Sequence, residues 1–391
     1  MANRRVLRIE DVKLNNRNKI LAMIYNSGKV GISQSALVNE SGLKGASIFR
    51  IFTELEKDKL IKFVEEPKEI TILKGRKPTY YTVDPDALYT IGVEISYNKV
   101  EISIFNFLLD VLASATYDIV NEDINDIVNI ITDYVNTEID AIGLPKNKII
   151  GMGVAIPGVV DLYTGEILKY ERIKGCIEFP LAEELKKRLG FVVTVTNSTA
   201  THAYYDYHTH QYGDSVFTIL LRNGINGAFI NKGKVFLDSN GYSLDFEHLQ
   251  ISFAGGPECS CGNQGCLQSY LFNIEDEYND QILLDLEKYL STDLTRLDFI
   301  LDKIVFYISV LLKGFDKIVN PSCFLILTKD KKIGEILRNK LRKAMEERVS
   351  SYSKDLQKPI YSSTYNTLHV QKGAVEILLK KFFDPELVIW K

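Results

Sequence analysis

The stretch DFEHLQISFAGGPECSCGNQGCLQ, from Asp245 to Gln268, contains three of the five cysteines of the chain. The cysteines follow the spacing C-x-C-x4-C, and a histidine precedes the first of them by eleven positions. Three thiols and one imidazole are a complete tetrahedral ligand set for Zn²⁺, and structural zinc sites leave no coordination position open. Glycines among them would let the backbone fold tightly around an ion. The alternative is a group of unrelated buried cysteines. We predict a structural zinc site formed by His248, Cys259, Cys261 and Cys266.

Length and composition indicate a globular protein of several domains. A chain of 391 residues exceeds one ordinary core, and 46% hydrophobic and 25% charged residues are typical of soluble proteins. No apolar run is long enough to span a bilayer, and the N-terminus has no apolar signal core. The other two cysteines, Cys176 and Cys323, are isolated. We therefore expect a cytoplasmic protein without a disulfide framework.

The net charge of −4 conceals an uneven distribution. Residues 1–85 carry 16 basic and 10 acidic side chains, which leaves 31 basic and 41 acidic side chains in the rest of the chain. A basic head on an acidic body indicates that only the head would meet a polyanion.

The head has the pattern of a helix-turn-helix. After a first helix that stops near Gly28, two further helices flank Gly42, where a left-handed turn is expected. The last helix has apolar residues at i, i+3, i+4 and i+7, which predicts one buried face. The opposite face near its N-terminal half presents Lys44, Ser47, Arg50 and Thr53. In a helix-turn-helix this face reads base edges in the major groove.

Two alternating runs, IKFVEE and PTYYTVD, follow the helices and predict a β-hairpin wing. Arg76 and Lys77 lie in the loop between them, where a basic tip would suit a phosphate backbone or minor groove. The alternative is a three-helix module with a solvated basic loop that contacts proteins. With the positive balance of the head, the pattern favours binding of double-stranded DNA.

The rest of the chain alternates strands and helices, which predicts an α/β body in two lobes. We predict a DNA-binding domain at 1–85, a first lobe at 86–200, and a second lobe at 201–391 with the zinc knuckle and the C-terminal helices. A helix around Ala374 to Phe382 is expected to pack on the second lobe.

The order of these motifs resembles the ROK family of sugar-responsive repressors and sugar kinases. The features that carry the resemblance are a winged helix-turn-helix, a Pro-Gly turn after a strand, an Asn after a strand, an E/D-x-x-H motif and CxCGxxGC. The resemblance covers nearly the whole chain, and the GRKP wing loop matches the repressor branch. It implies a two-lobed actin-like, hexokinase-like (ribonuclease H-like) body.

The kinase motifs of the family are altered here. Residues 94–98 replace the glycines of the first phosphate loop, residues 222–227 keep the second only in part, and residues 327–329 lack the third. Kinases of the family have an Asn-Asp pair in which the aspartate is the catalytic base. The corresponding pair in this chain is Asn197-Ser198. Serine cannot usefully accept the proton, and general-base help contributes typically about 10²–10⁴-fold. We predict no kinase activity, no catalytic residues and no ATP cofactor.

The resemblance also implies a sugar pocket, which is modified in this chain. The positions that contact the sugar correspond to Asn197, Asp245, His248 and Gln268, with Asp and Gln at positions where the family has Glu. A separate alternative for Asp245 and Gln268 is an ordinary surface or structural role.

The sequence therefore predicts a DNA-binding transcriptional regulator, a repressor of carbohydrate-use genes with a sugar or sugar-derivative effector. A dimer or dimer of dimers is expected, because a two-fold protein matches a palindromic operator. Two alternatives stay open: a sugar kinase that carries a DNA-binding head, and a regulator that has lost its ligand and answers to a protein partner.

Overall fold

The computed structural model describes residues 9–64, 79–120, 122–170, 172–222, 224–252, 255–272, 286–347 and 358–384, with side chains from residue 13 onward. Its α-helices are α1 (Ile9–Asn26), α2 (Gln34–Ser41), α3 (Gly45–Lys57), α4 (Ile124–Ala141), α5 (Leu181–Leu189), α6 (Ser198–Thr209), α7 (Leu267–Phe272), α8 (Leu286–Thr292), α9 (Leu294–Ile318), α10 (Lys331–Glu347) and α11 (Thr367–Phe383). Within these ranges no helix has the length and apolar character needed to cross a membrane.

The strands are mostly short and lie between the helices. In chain order they are β1 (Ile32–Ser33), β2 (Ile61–Val64), β3 (Tyr80–Val83), β4 (Tyr89–Ile95), β5 (Lys99–Asn106), β6 (Val111–Asp118), β7 (Ile149–Ile156), β8 (Val159–Asp161), β9 (Glu166–Lys169), β10 (Ile177–Phe179), β11 (Val192–Asn197), β12 (Ser215–Leu221), β13 (Ile225–Asn231), β14 (Lys234–Val235), β15 (Cys323–Thr328) and β16 (Ile360–Thr364).

The chain forms two compact units, which are not contiguous in sequence. Unit 1 takes its residues from 1–155, 171–195 and 374–389, and unit 2 from 156–170 and 196–373. Helix α11, predicted in the second lobe, therefore joins unit 1 from Ala374 onward. The physical reason is Gly153 of β7, because a Cβ at that position would lie 2.4 Å from the carbonyl oxygen of Ala374. Only glycine lets α11 pack this closely.

The head of unit 1 combines α1, α2 and α3 with a small sheet of order β1-β3-β2. The Ser33 side chain caps α2, and Gly42 ends it at φ 72°, in the left-handed turn that the sequence predicts there. The apolar face of α3 is buried, and Phe52 meets Tyr81 of β3 edge to face at 5.0 Å. The wing strands β2 and β3 thus pack against the helix that carries the predicted DNA-contacting residues.

The two large sheets have the same strand order. In unit 1 the order is β6-β5-β4-β7-β11, and in unit 2 it is β14-β13-β12-β15-β16. Each begins with three antiparallel strands in sequence order, after which the chain adds a strand parallel to the first, β7 beside β4 and β15 beside β12. Such parallel additions need crossover connections, which α4 and α9 help to supply. This repeated α/β topology confirms the predicted fold class.

Candidate functional site

The predicted zinc ligands lie together in unit 2. One ligand atom from each of His248, Cys259, Cys261 and Cys266 falls within 4.8 Å of every other. The loop is closed by short backbone contacts, including the amide of Cys259 on the carbonyl of Asn263 at 2.8 Å. Gly265 adopts φ 77°, and its missing Cβ would lie 3.0 Å from the Cβ of Ser252. The residues therefore form a possible Cys₃His metal site.

The spacing of the ligand atoms fits a tetrahedral ion. The sulfur atoms of Cys261 and Cys266 are 3.7 Å apart, and the Cys259 sulfur is 3.4 Å from Nδ1 of His248. Zinc bonds of about 2.3 Å to sulfur and about 2.0 Å to nitrogen give tetrahedral S–S and S–N separations of about 3.8 and about 3.5 Å. The pKa of Cys261 is lowered, first by the backbone N–H of Asn263, whereas desolvation and the neighbouring thiols raise the pKa of Cys266. A cation would favour the thiolate form of both.

The predicted effector residues occupy three settings in unit 2. Asp245 is exposed and lies within 4.8 Å of His248 through its carboxylate, so the structure brings these two together. Gln268 is half-buried near the start of α7, and its backbone N–H donates to the backbone carbonyl of Glu247 at 3.0 Å. Asn197 is buried at the N-terminus of α6, where its side-chain oxygen accepts from the amides of Thr199 and Ala200.

Asn197 thus has a structural task that the sequence analysis did not foresee. Its Nδ2 donates to the carbonyl of Gly158 at 2.9 Å, so both ends of the amide hold the chain. The next residue, Ser198, is buried, and its hydroxyl has no hydrogen-bond partner among the described residues.

The segments that replace the phosphate loops contain side chains with contacts inside the protein. In unit 1, the Arg172 guanidinium lies 5.8 Å from the centre of the Tyr97 ring, and Ser96 is buried. In unit 2, the Arg222 guanidinium lies 4.3 Å from the centre of the Tyr365 ring. The Thr328 hydroxyl donates to the carbonyl of Asp330 at 2.8 Å.

The predicted DNA-contacting side chains lie on the outer face of the head. Lys44, Arg50 and Thr53 are exposed and Ser47 is half-buried. Arg50 lies 3.8 Å from Glu54, one helical turn further on. The predicted wing residues Arg76 and Lys77 lie outside the described residues.

The exposed aromatic side chain of Phe49 on α3 was not among the predicted functional residues. Phe49 precedes Arg50 and is 66% exposed. The apolar stripe at Ile48, Ile51, Phe52 and Leu55 already satisfies the helix core, so the neighbouring phenylalanine could have been recognised as an outward-facing aromatic.

Unit 2 also contains a buried polar cluster whose residues were not among the predicted functional residues. His202 and Asp206 of α6 are both fully buried, with Nδ1 and Oδ2 3.6 Å apart. His369 of α11 approaches the other carboxylate oxygen at 3.9 Å. Tyr365 stacks on His202 at 5.0 Å, and the backbone N–H of Asn366 donates to Nε2 of His202 at 3.2 Å. No local sequence signal joins residues this far apart.

Two sheets of the same order and a Cys₃His knuckle define the class of protein. A ROK family model matches residues 90–378, and the chain belongs to the ROK family.

Individual relatives include both repressors and kinases of this family. The DNA-binding transcriptional dual regulator NagC of Escherichia coli is 25% identical over 244 residues, which are 62% of this chain and 59% of NagC. A protein named putative xylose repressor from Caldicellulosiruptor is 23% identical over 355 residues, 85% of this chain and 88% of that protein. N-acetyl-D-glucosamine kinase of Haemophilus influenzae is 28% identical over 193 residues, 46% of this chain and 62% of the enzyme. The chain thus spans about three fifths of the length of NagC.

A solved structure supports the fold over nearly the whole chain. A ROK family transcriptional regulator, described as a homologue of the Escherichia coli MLC protein, matches with a TM-score of 0.75 at 20% identity. The match covers 95% of this chain and 99% of the other.

Proposed function

We propose that this chain is a DNA-binding transcriptional regulator that represses carbohydrate-use genes and is controlled by a sugar or sugar derivative. One observation carries the proposal. The chain joins a ROK body to a head in which Lys44, the N-cap of α3, and Arg50 of α3 are exposed beside the packed strands β2 and β3. The names of the NagC and xylose repressor relatives support the same assignment.

The head would act as a winged helix-turn-helix, with α3 in the major groove. Lys44, Ser47, Arg50 and Thr53 would contact bases and phosphates, and Arg76 and Lys77 of the wing loop would contact the backbone. The exposed ring of Phe49 offers an apolar surface of the kind that packs on a thymine methyl group. We propose that two heads are joined in a dimer, since one helix reads too few base pairs.

DNA binding can be tested with Arg50→Ala and the charge-matched control Lys57→Ala, which lies at the exposed C-terminal end of α3. We expect Arg50→Ala to lower affinity for DNA from upstream of the gene by about 10–100-fold, the loss of one charged base or phosphate contact. The control should bind almost as well as the unmodified protein. Fluorescence anisotropy at fixed salt measures both. Equal affinities for all three proteins would reject this DNA surface.

Zinc would have a structural role in the knuckle, held by His248, Cys259, Cys261 and Cys266. When bound, such an ion contributes folding free energy by cross-linking the loop.

The effector is proposed to bind at Asp245, His248, Gln268 and Asn197, whose polar groups suit vicinal hydroxyls. Asp245 and His248 lie close enough to share one ligand.

A sugar kinase is the second candidate, because kinases of the family are also similar to this chain. Against it, Ser198 supplies no basic group, and the side chains of Tyr97 and Arg222 make aromatic contacts where the family has phosphate loops. Phosphoryl transfer depends on positioning and charge stabilisation that such loops supply. We therefore propose a regulator without kinase activity.

A thermal-shift screen separates the candidates. Mono- and disaccharides, sugar phosphates and ATP would be tested on the full chain, since a ligand that binds only the folded state raises the melting temperature. We expect a sugar to raise it and ATP to leave it unchanged. A clear shift with ATP would favour the kinase, and no shift with any compound would favour a regulator that responds to a protein partner.

A further inference from the structure

The two ring nitrogens of His248 face different chemical groups. Nδ1 lies 3.4 Å from the sulfur of Cys259, whereas Nε2 lies 3.8 Å from Oε1 of Glu247. Both side chains are partly buried, with 24% of His248 and 30% of Glu247 exposed. The imidazole therefore lies between the thiols and a carboxylate.

This arrangement selects one form of the ring. A neutral imidazole carries one N–H, and a nitrogen that binds a metal must offer its lone pair. If Nδ1 faces the metal with the thiols, Nε2 carries the hydrogen. A carboxylate beside that N–H fixes both the tautomer and the orientation of the ring.

The backbone around Glu247 is held in place by contacts with residues distant in the sequence. The backbone carbonyl of Glu247 accepts a hydrogen bond from the backbone N–H of Gln268 at 3.0 Å. The preceding residue, Phe246, is 2% exposed, and its ring lies 5.6 Å from that of Phe217. A Cβ on Gly227 would come within 2.8 Å of the Phe246 ring, so glycine is needed for this packing. The backbone of Glu247 is thus fixed on both sides, unlike that of a freely moving surface acid.

We propose that Glu247 is a positioning residue for the metal site. Its carboxylate, now 3.8 Å from Nε2, would move within hydrogen-bond distance when the ion is bound, accept the Nε2 hydrogen and so hold His248 with Nδ1 toward the ion. This inference rests on the zinc site of the proposed function. It also limits the effector site, because a ligand hydroxyl would have to compete with Glu247 for Nε2 of His248. Asp245 and Gln268 then remain as the side chains that meet the ligand directly.

The experiment compares zinc affinity in three full-length variants by competition with a chromophoric chelator. We expect Glu247→Ala to weaken zinc binding by about 10–100-fold, as is typical for loss of such a supporting partner. Glu247→Gln should lose less, because an amide oxygen still accepts the Nε2 hydrogen. Glu258→Gln is the matched control: it makes the same change as Glu247→Gln at an exposed glutamate of the same loop, outside the groups of ligand atoms around His248, and should change zinc affinity little.

A second measurement reports the ring itself. Long-range ¹H–¹⁵N spectra of the zinc-bound protein should show His248 protonated at Nε2, with faster exchange of that proton in Glu247→Ala. Equal zinc affinity in the unmodified protein and Glu247→Ala would overturn the inference. An equal loss in Glu247→Gln and Glu258→Gln would also overturn it, because it would indicate general charge attraction. An unmodified protein that binds no zinc would overturn the metal site as well, so the two failures are distinguishable.

Discussion

Unit 2 contains two histidine clusters with opposite environments. In the knuckle, His248 is 24% exposed and both of its ring nitrogens lie near polar partners. In the second cluster, His202 is fully buried, and its Nδ1 has no hydrogen-bond partner among the described residues although Asp206 lies 3.6 Å away. The first cluster could bind a metal ion, whereas the second surrounds the buried carboxyl group of Asp206, which can bind a proton.

The two clusters differ in the charge state of the side chains that their surroundings favour. The knuckle gathers thiols that become anionic, so a cation would stabilise it. Around His202 the protein favours neutral groups: burial, and next the neighbouring His369, lower the pKa of His202 to about 3. Burial raises the pKa of Asp206 to about 6, opposed by His210 and by the Ser363 hydroxyl. The pKa of His369 is also lowered, first by burial and then by Lys372 and His210.

Removal of a knuckle ligand should produce the largest effect. We expect Cys261→Ser to lose zinc and to destabilise unit 2 by about 4 kcal/mol or more, within the range for loss of a metal. Cys323→Ser is the control, because that buried thiol donates to the carbonyl of Tyr212 and a hydroxyl can do the same. Zinc content by mass spectrometry and melting temperature measure the outcome. An unchanged melting temperature with zinc lost would show that the ion does not support the fold.

Asp206→Asn should stabilise the protein at high pH, whereas the loss of a knuckle ligand should destabilise it. A pKa of about 6 in place of 3.8 means that the ionised buried carboxylate costs about 3 kcal/mol above pH 6. The raised pKa of Asp206 stabilises the fold at low pH, and this contribution is lost as the pH rises through about 6. We therefore expect the Asn variant to be the more stable protein at pH 8, with an advantage that shrinks as the pH falls toward 4.

His202 also makes the stability of the protein depend on pH, with the opposite sign to Asp206. The lowered pKa of His202 contributes stability above about pH 6.5 that is lost as the pH falls toward 3. In the unmodified protein the two slopes oppose each other between about pH 4 and 6, whereas Asp206→Asn keeps only the histidine slope. Melting temperatures from pH 4 to 8 measure this, with Asp133→Asn on the exposed face of α4 as control. Parallel profiles for all three proteins would contradict the assigned pKa shifts.

The knuckle was predictable because its ligands are close in the sequence. Cys259, Cys261 and Cys266 fall within eight positions, and spacing alone brings them together. The caps of α2 and the apolar face of α3 were predictable for the same reason, since both depend on residues within two turns. The repeated sheet could be predicted only as an α/β body, because strand order depends on pairings between distant segments such as β12 and β15.

The buried cluster could not be predicted, because it is assembled from α6 and α11, more than 160 positions apart. Asn197 shows the same limit: its type predicts a ligand contact, but its bond to the distant carbonyl of Gly158 could not be read from the sequence. The path of α11 from unit 2 into unit 1 depends likewise on a close approach at Gly153.

Gly373→Ala should have the smallest effect and tests how rigidly the buried cluster is built. A Cβ on Gly373 would lie 2.5 Å from the carbonyl oxygen of Thr201, so α11 would have to move away from α6. Alanine favours a helix over glycine by about 1 kcal/mol, but overpacking costs about 1–3 kcal/mol, so a modest net loss is expected. Gly314→Ala in α9 is the control, because apart from the adjacent backbone of its own helix no described atom lies within 4 Å of the added Cβ, and this variant should gain stability. If Gly373→Ala gains as much as Gly314→Ala, the two helices can separate freely. His369 would then not be held beside Asp206, and the pH profile of that cluster would depend on His202 and Asp206 without it.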